Sequence, residues 1–181
     1  MTKTIEASQV NIKKCGVLFD TNVWLMLEGF DLQAPRDKVA AYGDAYKALI
    51  KGGNQIVVNN YVLSEFCHRA GILMFEDMKD RNQSLERFSF KTFRRKREFR
   101  PMLQEIRQRC LQILDNCDFI AVAPSHYDLD DTLDIFATGT LDFTDIIIAK
   151  FCIKENYFLM SDDKDFTRHD FNLTLITHFN K

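Results

Sequence analysis

Several things are scarce in this chain of 181 residues, and each scarcity excludes something. The five cysteines (Cys15, Cys67, Cys110, Cys117, Cys152) form no CxxC pair, and the four histidines are scattered. An odd, unspaced cysteine count argues against a disulfide framework and for reduced thiols in a cytoplasm. No apolar run approaches the ~18 residues of a membrane span, and the polar start is unlike a signal peptide. There is one Trp against sixteen Phe. No repeat and no low-complexity linker interrupts the chain, whose length suits one domain.

Net charge is also scarce, with 24 basic against 26 acidic residues. The balance hides an asymmetry. Lys79 to Arg109 holds eleven basic and four acidic residues, a net of +7, so the remainder carries −9. A basic segment on an acidic body implies two jobs.

The apolar pattern gives the architecture. Val17–Phe19 reads as a buried strand, with Asn22 capping a short helix to Leu27. A helix over 36–51 ends at Gly52 and Gly53. Residues 55–59 form a second strand, and a helix starts at Tyr61. Residues 85–116 read as a second long helical tract, with Pro101 marking a break or a start. A third strand at 118–122 and a loop or short helix at 124–139 precede a strong helix over 141–154. Strands at 157–160 and 173–176 close the pattern. Alternation of this kind predicts a three-layer α/β/α fold with a mainly parallel sheet of about five strands. Residues 1–14 are set apart as an N-terminal extension. Residues 15–181 form one domain, with a basic helical insertion at about 79–116.

Ligands of open α/β sheets bind beyond the carboxyl ends of the strands. Acids stand at each of those ends: Asp20 after the first strand, Glu65 after the second, Asp142 and Asp145 after the third, Asp162 and Asp163 after the fourth. Asp142 and Asp145 are three apart on one helix, so both face one side. Asp142 suits the helix dipole, worth only ~0.3–1 kcal/mol. Asp145, just before Ile-Ile-Ile-Ala, belongs at the edge of the core. Two carboxylates ~4 Å apart repel by about 4 kcal/mol at an effective dielectric of ~20. Four of them compete with a total stability of ~5–15 kcal/mol. Such a cluster protonates or holds a cation, and an all-oxygen donor set points to Mg²⁺ or Mn²⁺.

The stretches FDTNVWL (19–25), NNYVLSEFCHRA (59–70), LDFTDIIIAK (141–150) and LMSDDKDF (159–166) resemble the PIN-domain ribonucleases, in that family's order and across most of the chain. The resemblance implies an acidic site of Asp20, Glu65, Asp145 and Asp163, with Ser161 and Asn22 at the family's hydroxyl and amide positions. It implies a metal-dependent endonuclease acting on RNA, often the toxin of a VapC-type toxin–antitoxin pair and frequently a homodimer. Asp20 and Asp145 are the first choices as metal ligands, joined by Asp163, Asp162 or Asp142. Glu65 or Asp163 binds through water or orients the nucleophile, and Thr21, Asn22, Thr144 and Ser161 fix the carboxylates. The doubled acid leaves open which of Asp162 and Asp163 is used. The run KTFRRKREFR offers Arg94, Arg95, Lys96, Arg97 and Arg100 to RNA phosphates, with Phe93 and Phe99 among them. A solvated helix face is the alternative.

Two other functions stand beside this one. A haloacid-dehalogenase-like phosphatase also ends its first strand with Asp, but needs a second acid where this chain has Asn22. A PIN fold kept as a non-catalytic RNA-binding scaffold usually loses acids, and none is missing here.

Overall fold

The structure, a computed structural model, describes residues 2–178. Six strands form one all-parallel sheet: β1 (Lys3–Glu6), β2 (Gly16–Phe19), β3 (Gln55–Val58), β4 (Asp118–Phe119), β5 (Phe158–Met160) and β6 (Thr174–Thr177). Their order across the sheet is β1-β6-β5-β2-β3-β4. Seven helices complete a three-layer α/β/α sandwich among the described residues: α1 (Thr21–Leu27), α2 (Arg36–Lys51), α3 (Asn60–Arg81), α4 (Phe90–Phe93), α5 (Arg100–Asn116), α6 (Leu129–Ala137) and α7 (Phe143–Glu155). None of these helices is long and apolar enough to cross a membrane.

The central strands GVLF, QIVV and FLM are short apolar runs because helices cover both faces of a parallel sheet. Val17, Leu18, Phe19, Val57, Val58, Leu159 and Met160 are all fully buried. From β2 the chain builds outward through β3 to β4, then crosses back to place β5 on the other side of β2. The strand order therefore reverses between β2 and β5, and a crevice opens at such a reversal. Phe19 pairs with Met160, so the next residues, Asp20 and Ser161, face each other across that crevice.

The sheet has six strands rather than five. The added one lies in the N-terminal stretch set apart from the sequence: Lys3–Glu6 pairs residue for residue with Thr174–Thr177. KTIE carries no apolar run because an edge strand is half-exposed. The cap of α1 is Asp20, not Asn22; its carboxylate accepts from Thr21 N at 2.7 Å. At the other edge, β4 is only two residues long and Phe119 is half-exposed.

The tract 85–116 is not one helix. Only α5 is long, and Pro101 lies in its first turn, where a missing N–H costs nothing. Residues 83–99 hold only single helical turns, α4 among them, wrapped around a second, smaller core of Phe75, Phe93 and Phe99, with Leu85, Phe88, Phe90, Met74, Met78 and Met102 against it. Much of the phenylalanine surplus is used here. Gly71 of α3 makes the contact possible: a Cβ there would lie 2.7 Å from Phe90 Cζ.

Candidate metal and nucleic-acid site

The crevice between β2 and β5 opens into a cleft of about 570 Å³ lined by acids. Asp20 is 5% exposed and is held from three sides. Thr21 N donates to Oδ1, and Ser161 Oγ (2.6 Å) and Asn22 Nδ2 (2.8 Å) donate to Oδ2. A carboxylate has about four acceptor sites, so three donors leave room for a cation. Ser161 Oγ in turn accepts from Asn22 Nδ2 at 3.1 Å and from Asp163 N at 3.0 Å. One hydroxyl thus ties the ends of β2 and β5 together.

Glu65 comes from the second turn of α3. That helix begins where Asn59, fully buried, caps it by accepting from Val62 N at 2.9 Å. Thr21 Oγ1 donates to Glu65 Oε2 at 3.2 Å. A surface pair between Glu65 and Arg69, the ordinary alternative for such spacing, does not form; both line the cleft. Asp142 occupies the cap position of α7, yet its side chain makes no capping hydrogen bond and also lines the cleft, as does Thr144. Asp163 lines it from the β5 side, with Oδ1 accepting from Asp165 N at 2.8 Å.

Asp145 is the electrostatic centre. Burial, and then the charges of Asp20, Asp163, Glu65 and Asp142, push its carboxyl up to about 7. Burial pushes Asp20 up to about 6; the Ser161 and Thr21 hydrogen bonds oppose this, and the charges of Glu65 and Asp163 add to it. Acids from four strand ends therefore feel one another. They converge without closing: among the described residues, no three Asp, Glu, His or Cys side chains form a ready-made metal cage. Nor does any described residue donate a hydrogen bond to Asp145. The donor set fits a hard divalent cation, because it is all oxygen and carries more negative charge than it neutralises.

The doubled acid splits. Asp162 points away from the cleft, taking Lys38 Nζ at 2.7 Å and the Tyr42 hydroxyl at 2.9 Å. Its backbone N donates to Asn22 Oδ1 at 3.0 Å. Asp162 thus braces α2 against the end of β5, and of the five acids considered as metal ligands it alone does not line the cleft.

The basic residues lie outside the cleft lining. Arg94, Arg95, Arg97 and Arg100 are exposed, while Lys96 sits over the Phe88 ring at 4.3 Å. Phe93 (2% exposed) and Phe99 (0%) are buried, so neither offers a face for base stacking. Phe90 of the same segment meets the cleft residue His68 edge-on at 5.8 Å. Tyr61, Ser64, His68 and Arg69, none of them among the site residues expected from the sequence, line the cleft with Glu65. Their spacing was the available signal: three and four apart, they form the polar face of α3 opposite its apolar row.

A PIN-domain family profile matches residues 17–172. Among solved structures, the fold is similar to a chain in the crystal structure of VapBC2 from Rickettsia felis bound to a DNA fragment from their promoter. The TM-score is 0.58 at 15% identity, covering 91% of this chain and 99% of that one. No curated protein matches the sequence.

Proposed function

The chain belongs to the PIN-domain family, and on that premise we propose that it is a metal-dependent endoribonuclease, the toxin of a toxin–antitoxin pair working in the cytoplasm. PIN domains are generally nucleases. The observation that carries the reading is the convergence of Asp20, Glu65, Asp142, Asp145 and Asp163 on one cleft, where burial and the other acids push the Asp145 carboxyl up to about 7. Asp20, Asp145 and Asp163 would hold Mg²⁺ or Mn²⁺, with Asp142 at the rim. Such an ion supplies a Lewis acid for the attacked phosphate and lowers the pKa of a bound water.

The chain's own residues do the rest. Ser161 and Asn22 fix the Asp20 carboxylate, so that it does not reorganise when charge develops. Thr21 holds Glu65 by one oxygen, leaving the other to accept a proton from the attacking water. Arg69, the one arginine in the cleft lining, draws in the phosphate that the acids repel. Arg94, Arg95, Lys96, Arg97 and Arg100 add sequence-blind contact to the RNA backbone. The complex in which the structural neighbour was solved supports an antitoxin partner, and a homodimer completes the proposed assembly.

The test is cleavage of defined RNAs with Mg²⁺, with Mn²⁺ and with chelator. The parent protein cuts only with metal, and Asp20→Asn abolishes cutting while remaining folded. Cleavage that survives chelation, or an active Asp20→Asn protein, overturns the reading. A folded protein that binds RNA, binds no Mn²⁺ and yields no cleavage product is the scaffold instead.

A further inference from the structure

Away from the acids, α3 and α5 bring two thiols together. Cys67 and Cys110 are 43 positions apart, and their sulfurs stand 3.4 Å from each other. Cys67 is exposed and Cys110 partly so, which leaves the pair within reach of a small reagent. Cys152 is buried, and no other pair of thiols is in contact among the described residues. A disulfide needs an S–S separation of about 2.05 Å, so closure requires only a small approach of two helices already packed together. Cys67, the more exposed of the two, is the sulfur that a reagent in solution meets first. The thiolate is the nucleophile of thiol–disulfide exchange.

We propose that Cys67 and Cys110 are a reversible disulfide site that takes a low-molecular-weight disulfide, of the glutathione disulfide class, as its oxidant. The Cys67 thiolate attacks one sulfur of the reagent, forming a mixed disulfide and releasing one thiolate. Cys110 gives its proton to solvent, attacks the Cys67 sulfur, forms the Cys67–Cys110 bond and releases the second thiolate. Two protein thiols are oxidised and one disulfide is reduced to two thiols. The loop so closed encloses Phe75, Phe93 and Phe99 and the whole of the basic segment from Lys79 to Arg109. Oxidation therefore staples the insertion to the helix that carries Glu65.

This inference is independent of the nuclease reading, and its test does not use activity. The full-length reduced protein is treated with oxidised glutathione and then nicked with trypsin in the exposed run Arg94–Arg97. The expected parent loses two of its five titratable thiols and the mass of two hydrogens, and retains no glutathione. Its two fragments run together on a denaturing gel and separate when dithiothreitol is added. Cys110→Ser retains one glutathione, and its fragments separate without reductant. The double substitution Cys15→Ser with Cys117→Ser behaves as the parent. Five free thiols, a lasting glutathione adduct on the parent, or a link that disappears with Cys15 and Cys117 would each overturn the assignment.

Discussion

The acid cleft and the basic insertion both lean on α3, and they are built in opposite ways. The cleft is assembled from strand ends, where backbone register fixes position: Phe19 pairs with Met160, so Asp20 meets Ser161 without further adjustment. Its residues are polar, tied by short hydrogen bonds and electrostatically strained by their own charge. The insertion has no sheet beneath it. It holds its shape by a cluster of phenylalanines and shows its charges to solvent. One region is positioned by the fold and destabilised by its chemistry. The other has to stabilise itself, and its chemistry costs little because it stays hydrated.

Removing one ring from the insertion breaks this comparison most forcefully. Phe99→Ala deletes a fully buried ring from a core of three, and such a change costs about 3–5 kcal/mol. The expected loss is local. Amide exchange accelerates through residues 83–99, while β2 and β5 keep their protection, because the larger core does not include Phe99. Equal loss of protection in β2 and β5 would show that the two regions fold as one unit.

The strain in the cleft shows itself in the pH dependence of stability. A carboxyl whose pKa is raised by folding contributes stability that is complete below its ordinary value, 3.8, and is lost as pH climbs through the raised one, about 7 for Asp145. In metal-free protein, this contribution to the melting temperature therefore fades across that window, with Asp20 adding to the fall up to about 6. Asp145→Asn removes the charge, flattens the fall, and melts higher than the parent at neutral pH while losing metal binding. Mg²⁺ raises the parent's melting temperature at neutral pH and leaves the variant's unchanged. A variant that melts lower than the parent would mean that the acids are already compensated.

The same contrast explains what could be read from the sequence. Asp20, Glu65, Asp145 and Asp163 follow short apolar strands or open the helices after them, so their convergence follows from topology alone. The fate of Asp162 does not, because Lys38 and Tyr42, which take it away from the cleft, come from a helix more than a hundred residues earlier. β1 was invisible because an exposed edge strand carries no apolar run, and only its register with β6 identifies it. The insertion misled for a related reason. Phe88, Phe90, Phe93 and Phe99 keep no single spacing, and a satellite core made of separate one-turn helices leaves no sustained period to detect.

The smallest expected effect tests the charges themselves. Asp20→Asn protein, expected to leave RNA intact under the proposed function, is titrated with single-stranded RNA at several salt concentrations. Each lysine or arginine that neutralises a phosphate contributes about 0.7 to the slope of log affinity against log salt. Arg94→Glu and Arg95→Glu, both exposed, each lower the slope by about that amount. Lys96→Gln lowers it least, because its ammonium already sits over the Phe88 ring. Arg69→Gln behaves differently. It lies among the acids, so its loss weakens binding while a larger share of the effect persists at high salt, where screening has removed the surface contribution. An unchanged slope for Arg94→Glu and Arg95→Glu would leave the insertion a hydrated surface and confine the proposed RNA contact to the cleft. The comparison would then separate a working region from one that merely folds beside it.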